Sequence, residues 1–316
     1  MHEDLRIVFM GTPDFAVATL KKLVENNYNI VGVITAPDRP AGRGQKLKQS
    51  AVKNYAIEKN LHVMQPTNLK SEQFLEELKS LNANLQVVVA FRMLPKAVWQ
   101  MPKFGTFNLH ASLLPDYRGA APIHWAIING EKKSGVTTFF IDDKIDTGEI
   151  ILSKTIEIGK TTTVGELHDK MMELGGELVI ETVDLIKNGN IKTEKQPESE
   201  QLKTANKLTK ENTKIDWSLP VESIFNKIRG LNPYPAAWSV LLTNDTEYLV
   251  KLYDVDFEST EHPKPVGTII IEGDSMKVSA KDGFILVNEL QLQGKRKMDI
   301  KSFLNGFSFS KDAKML

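Results

Sequence analysis

Residues 6–190 alternate short apolar runs with segments of helical period, and this alternation constrains the chain more than any other feature. Arg6 to Met10 is an apolar run ending in the turn Gly11-Thr12-Pro13-Asp14, after which Ala16, Leu20, Leu23 and Val24 recur at helical spacing. A second apolar run, Ile30 to Ile34, follows at once. Strand, helix and strand make a βαβ unit, whose two strands lie parallel because the helix returns the chain to the starting edge. The pattern continues with Ser71 as a candidate N-cap before Phe74, Leu75, Leu78 and Leu81, and then with Leu85 to Ala90, a run that reads as a fully buried strand. Further strands are expected at Gly105 to His110, Val136 to Ile141 and Ile150 to Ile158. Thr163 and Glu166 have the spacing of a capping box and open a long helix that stops near Asn188-Gly189. The fold class expected is α/β, a Rossmann-like, doubly wound domain with a parallel-rich sheet.

From Ile191 to Lys210 the sequence turns polar and loses any periodic apolar face, which is the composition of a linker. After Asp216-Trp217 a helix is expected over Val221 to Arg229. Short runs follow at Trp238 to Leu242, Tyr248 to Val255, Gly267 to Ile271, Met276 to Ala280 and Phe284 to Leu292, separated by turn residues such as Lys281-Asp282-Gly283. Short strands at this spacing predict a small OB-like β-barrel. With 316 residues the chain is long enough for two cores. The expected division is a first domain at 1–190, a linker at 191–210 and a second domain at 211–316.

Composition narrows the chemistry. There are no cysteines, so disulfides, thiolate metal sites and a cysteine nucleophile are excluded. No run approaches the ~20 apolar residues that span a bilayer, and no basic-then-apolar leader opens the sequence, so a cytoplasmic protein without a membrane partner is expected. Forty Lys and Arg balance forty Asp and Glu, and a net charge of zero argues against a nucleic-acid partner. The balance is a cancellation, however. Residues 30–54 carry Arg39, Arg43, Lys46, Lys48 and Lys53 against Asp38, and residues 290–316 carry Lys295, Arg296, Lys297, Lys301, Lys311 and Lys314 against Asp299 and Asp312, each a net +4.

The first βα turn lacks G-x-G-x-x-G, and Pro13 stands where the second glycine would be, so a nicotinamide cofactor is not expected. The strongest local signal is the segment from Phe104 to Gly119. On a strand, Asn108 and His110 share one face and lie at its carboxyl end, where open α/β sheets bind ligands. A second cluster, Asp142, Asp143 and Asp146, follows the Val136 to Ile141 run at another carboxyl end. One of these carboxylates facing His110 would complete an acid–base pair. No histidine stands at ligand spacing to it, so no metal is expected. His62 and His262 read as structural.

Phe9-Met-Gly-Thr-Pro-Asp-Phe15, Ala36-Pro-Asp-Arg-Pro-Ala-Gly-Arg-Gly-Gln45, Asn108-Leu-His-Ala-Ser-Leu-Leu-Pro115, Tyr117-Arg-Gly-Ala-Ala-Pro122 and Asp146-Thr-Gly148 resemble the methionyl-tRNA formyltransferase family. The resemblance runs on through Ile215-Asp-Trp217 and Leu231-Asn-Pro-Tyr-Pro235 to Gln293-Gly-Lys-Arg-Lys-Met298, and so covers essentially the whole chain. It implies a catalytic first domain in which Asn108, His110 and Asp146 form the catalytic trio. It also implies that Ser112, Leu113, Leu114 and Pro115 contact 10-formyltetrahydrofolate, the formyl donor, and that backbone groups at 142–146 read its pterin edge. Arg39, Arg43, Lys46 and Lys48, on an irregular exposed loop, would reach the initiator methionyl-tRNA, and Lys295, Arg296 and Lys297 in the second domain would supply a second contact. The implied activity is formylation of that tRNA's α-amine for translation initiation; the alternative is formyl transfer to another amine, of an amino sugar or in the purine pathway. Two departures from the family pattern stand out: Phe91-Arg92 replace Tyr-Gly after Val87-Val-Val-Ala90, and His124-Trp125 replace the commoner Gln-Arg.

Overall fold

The computed structural model describes residues 4–41, 46–197 and 201–316. The chain divides into two compact units, the first made of residues 1–119, 134–156 and 168–204, the second of residues 120–133, 157–167 and 205–316.

The first unit is built on a seven-stranded sheet in the order Ile150–Glu157, Lys133–Phe140, Thr106–His110, Leu85–Val89, Arg6–Gly11, Asn29–Ile34, Val63–Met64. From Thr106–His110 to Val63–Met64 every neighbouring pair is parallel. Thr106–His110 pairs antiparallel with Lys133–Phe140, so the sheet is parallel-rich, as the βαβ spacing predicts. The Arg6–Gly11 strand has a neighbour on each side, and Ile7, Val8, Phe9 and Met10 are fully buried, which is why the sequence there is a continuous apolar run.

Local signals are realised unevenly. Thr163 and Glu166 form their capping box, Thr163 N–H donating to Glu166 Oε2 at 2.8 Å and Glu166 N–H to Thr163 Oγ1 at 3.3 Å, and the helix runs over Val164–Lys187. Ser71 precedes the Glu72–Ser80 helix, but its hydroxyl donates backwards to Asn68 O at 3.0 Å and leaves the helix uncapped. Ser50 is the side chain that caps, accepting from Lys53 N–H at 3.0 Å.

The second unit carries a seven-stranded antiparallel sheet in the order Ile269–Glu272, Ser275–Ala280, Gly283–Leu292, Thr246–Ser259, Ala237–Thr243, Lys314–Met315, with Met298–Asp299 pairing to Gly283–Leu292. A register shift between Leu252 and Val255 bends the long Thr246–Ser259 strand. A bridge between Thr268 and Lys314, with Met315 N–H donating to Gly267 O at 2.8 Å, links the two ends of the order and curls the sheet into a barrel. The core holds Trp217, Ile224, Ile228, Leu231, Leu241, Val250, Leu252, Ile285 and Leu290.

The units interleave in sequence, which the linear division at 191–210 does not express. The chain makes its final passage at 204–205, within the polar stretch, but residues 120–133 and 157–167 already belong to the second unit. They are held there by the Val221–Leu231 helix, whose buried Arg229 donates to Thr162 O at 2.8 Å, and by Gly165 N–H donating to Asn232 O at 3.1 Å. The polar stretch is also more than a tether, since Glu194 exchanges backbone hydrogen bonds of 2.8 and 2.9 Å with Ile150.

Candidate active site

The Thr106–His110 strand sets the alternation that places Thr106, Asn108 and His110 on one face. Thr106 anchors the strand's beginning, its hydroxyl lying 2.9 Å from Gln86 Oε1 and 2.7 Å from Trp99 O. Asn108 is half-buried midway, and His110, 6% exposed, stands at the carboxyl end.

His110 is held from two sides. Nε2 lies 2.8 Å from Tyr117 O, and Nδ1 lies 3.8 Å from Asp146 Oδ2. A carbonyl oxygen only accepts, so Nε2 carries a proton, and Nδ1 is the nitrogen turned towards Asp146. The carbonyl is itself fixed, because Tyr117 sits at φ +60 and its N–H donates to Lys203 O at 2.6 Å. A bulky residue in the left-handed region marks a backbone held by its surroundings.

The three acids of the 142–146 cluster separate into different tasks. Asp142 folds back on its own loop, accepting from Lys144 N–H at 3.0 Å and from Thr147 Oγ1 at 2.8 Å. Asp143 is exposed, 3.8 Å from Lys96 Nζ. Asp146 alone faces His110; Gly119 N–H donates to its Oδ2 at 2.9 Å, and its backbone takes φ +56. Gly148 explains how the loop returns so tightly: a Cβ there would lie 1.6 Å from Phe140 O. Among the described residues no group of three His, Asp or Glu side chains is placed to hold a metal ion.

The Ser112 to Pro115 segment lies beside this pair. Ser112 is fully buried, its hydroxyl donating to Asp116 O at 2.7 Å and its carbonyl accepting from Thr137 Oγ1 at 2.7 Å. Leu114 is buried as well, so Ser112 and Leu114 shape the turn, while Leu113 and Pro115 are half-buried. At Phe91-Arg92, Arg92 turns its guanidinium onto Thr67 O at 3.1 Å and onto Pro66 O, and burial, then Arg39, push its pKa down. The positive φ here belongs to Ala90, at +47, so residue 92 has no need of glycine. His124 Nε2 lies 3.3 Å from Tyr234 O, and Trp125 Nε1–H donates to Asn206 O at 2.7 Å.

In the basic segment after the second strand, Arg39–Ala41 pairs antiparallel with Lys46–Lys48, where an irregular backbone was expected; Arg39 stands opposite Lys48, and both of these residues are exposed. Arg43 lies outside the described residues, and of Lys46 only the strand position is described. Asp38, just before the first of these strands, accepts from Lys53 Nζ at 2.6 Å and from Gln65 Nε2 at 2.8 Å. These hydrogen bonds hold its carboxyl below the usual carboxylate range. In the second unit Lys295, Arg296 and Lys297 are exposed and line an open cleft of about 600 Å³ with Met298, Phe303 and Phe307.

A histidine with a proton held on one nitrogen, a carboxylate near the other and an amide on the same strand face have the donors and acceptor that acyl transfer uses. Residues 5–183 match the family model described as formyl transferase, and residues 207–308 match its C-terminal domain. The chain belongs to the formyl transferase family. It is 57% identical over 313 residues to the methionyl-tRNA formyltransferase of Flavobacterium johnsoniae and 52% identical over 318 residues to that of Bacteroides thetaiotaomicron, with 99% of each chain covered in both cases. Solved structures share the fold at lower identity. An N-formyltransferase from Helicobacter canadensis, in complex with folinic acid and dTDP-3-aminofucose, matches 93% of this chain and 100% of its own at TM-score 0.65 and 22% identity. HypX from Aquifex aeolicus, in complex with tetrahydrofolic acid, matches 96% of this chain and 47% of its own at TM-score 0.63 and 18% identity.

The structure sets Asp146 beside His110 and keeps Asn108 on the His110 face of the Thr106–His110 strand. It adds two residues that spacing did not single out. Tyr117 lies inside a segment marked for its resemblance, where its backbone rather than its side chain does the holding. Gln196 lies in the polar stretch, where nothing in the pattern distinguished it; its Nε2 donates to Asp146 O at 3.0 Å and to Gly148 O at 2.8 Å.

Proposed function

We propose that this chain transfers the formyl group of 10-formyltetrahydrofolate to the α-amine of methionyl-tRNA charged on initiator tRNA, for translation initiation. The observation that carries the reading is the buried His110 ring set between Tyr117 O and Asp146. The near full-length identity to methionyl-tRNA formyltransferases supports the choice of acceptor over an amino sugar or a purine-pathway amine.

Each residue takes a role that its geometry allows. A free α-amine has a pKa of ~8 and esterification to tRNA lowers it, so the nucleophile needs only modest help to be neutral. As it attacks the formyl carbon, the carbonyl oxygen becomes an oxyanion to which the Asn108 amide donates. His110 keeps its Nε2 proton on Tyr117 O, which leaves Nδ1 to take the proton released by the amine. Asp146 stabilises the imidazolium so formed. Collapse breaks the bond between the formyl carbon and N10, and the proton passes from Nδ1 to that nitrogen, so the balance closes with the formyl group on the amine and tetrahydrofolate released. The half-buried Leu113 and Pro115 suit a flat aromatic co-substrate, and the backbone at 142–146 suits its hydrogen-bonding edge.

Arg39, Arg43, Lys46 and Lys48 in the first unit and Lys295, Arg296 and Lys297 in the second are the proposed phosphate contacts, which explains how a neutral chain takes a polyanionic substrate. Among the described residues no helix is long and apolar enough to cross a membrane, and we place the protein in the cytoplasm. The test is an assay of the full chain with 10-formyltetrahydrofolate and methionyl initiator tRNA, beside free methionine and a nucleotide-linked amino sugar. Formyl-methionyl-tRNA as the sole product is expected; formylation of the amino sugar alone overturns the reading.

A further inference from the structure

Gln196 makes four hydrogen bonds that join Arg118 to the proposed catalytic loop. Its Oε1 accepts from both Arg118 Nε, at 3.0 Å, and Arg118 Nη2, at 2.6 Å, while its Nε2 donates to Asp146 O and Gly148 O. The amide can be oriented in one way only. A guanidinium has donors and no acceptor, and a backbone carbonyl has acceptors and no donor, so Oε1 must face Arg118 and Nε2 must face the loop. Bonding to a cation also polarises the amide and strengthens what its other end donates.

The two ends of this link are the two backbone segments that hold the acid–base pair. Tyr117 O accepts from His110, Gly119 N–H holds the Asp146 carboxylate at 2.9 Å, and Arg118 lies between them. On the other side, Gln196 grips the carbonyl of Asp146 itself, a residue at φ +56 that L side chains seldom adopt. Asp146 is therefore fixed at both its carboxylate and its carbonyl.

We infer that Gln196, through Arg118, is a positioning residue that sets the distance between Asp146 and His110 during formyl transfer. The inference rests on the proposed role of Asp146. It gives the polar stretch before the second unit a place in the active site: a chain segment chosen by composition as a spacer supplies the clamp on the catalytic loop.

The experiment compares Gln196→Ala, the nearly isosteric Gln196→Glu and Asp146→Asn, alone and combined, in formylation of methionyl initiator tRNA by the full chain, with far-UV CD and Tm as checks of folding. Gln196→Glu keeps the pairing to Arg118 but turns an acceptor towards two carbonyl oxygens, so it serves where the truncation fails to fold. Misplacement by ~1 Å costs about a hundredfold in rate; kcat is expected to fall 10- to 100-fold in both Gln196 variants, with KM for the tRNA and for 10-formyltetrahydrofolate within about threefold of wild type. In the Asp146→Asn background the Gln196 change is expected to add less than threefold, because both act through one group. A kcat within twofold of wild type in a folded Gln196 variant, or losses that multiply with that of Asp146→Asn, overturns the inference. Near-normal turnover of Asp146→Asn alone overturns instead the catalytic reading on which it rests.

Discussion

Replacing Gly148 by alanine tests how the loop geometry supports catalysis. The added Cβ would lie 1.6 Å from Phe140 O and 2.8 Å from Phe140 C, both of them backbone atoms. No rotamer change relieves the clash, and restoring contact near 3 Å requires roughly 1.5 Å of backbone movement. Phe140 is paired inside the sheet opposite Phe107, so the loop yields rather than the strand. Asp146 is two residues away and carries the carboxylate that stands 3.8 Å from His110 Nδ1. A shift of this size there costs about two orders of magnitude in rate, while overpacking lowers stability by about 1–3 kcal/mol. Steady-state formylation of methionyl initiator tRNA should therefore show kcat reduced about a hundredfold with KM nearly unchanged. Gly273→Ala is the control: its φ is +60 with open space around the added carbon, so it should cost about 1–2 kcal/mol of stability and no activity. If Gly148→Ala keeps kcat within threefold of wild type while folded, the link between loop register and catalysis is refuted.

Asp146→Asn removes a charge 3.8 Å from a histidine that becomes cationic in the proposed transition state; at an effective dielectric of 20 that interaction is about 4 kcal/mol, so kcat should fall by about a thousandfold with folate binding retained, and a loss under tenfold would refute the role. Arg39→Gln with Lys48→Gln should raise KM for the tRNA and flatten its dependence on salt while sparing KM for the folate, as measured by kinetics at several ionic strengths. Arg229 is 5% exposed and donates to Asn226 Oδ1 and to Thr162 O, both at 2.8 Å. Arg229→Met should lower stability by about 3 kcal/mol in a denaturant titration, because it leaves those acceptors buried without a donor.

Much of this molecule is readable along the chain, because strands and helices are local answers to local patterns. Ile7 to Met10 and Val87 to Val89 are apolar throughout because both faces of an inner strand are covered. The period of two that puts Asn108 beside His110, and the spacing of Thr163 and Glu166, are equally local. Ser71 shows the limit of such signals: its hydroxyl has a choice between the helix and the preceding turn, and it takes Asn68 O.

The sequence by itself determined the α/β class, the barrel that follows, the family and the candidate trio, since these depend on periodicity and on motifs contiguous in the chain. Only the tertiary structure decided which imidazole nitrogen meets Tyr117 O, how closely Asp146 approaches the other, and that Gln196 reaches back across 50 residues to grip Asp146. It also decided that residues 120–133 and 157–167 belong with the barrel, and that Arg39–Ala41 and Lys46–Lys48 pair as strands. The physical reason is the same in each case. A hydrogen-bonding side chain is satisfied by whichever partner folding brings within about 3 Å, and separation along the chain places no limit on that choice.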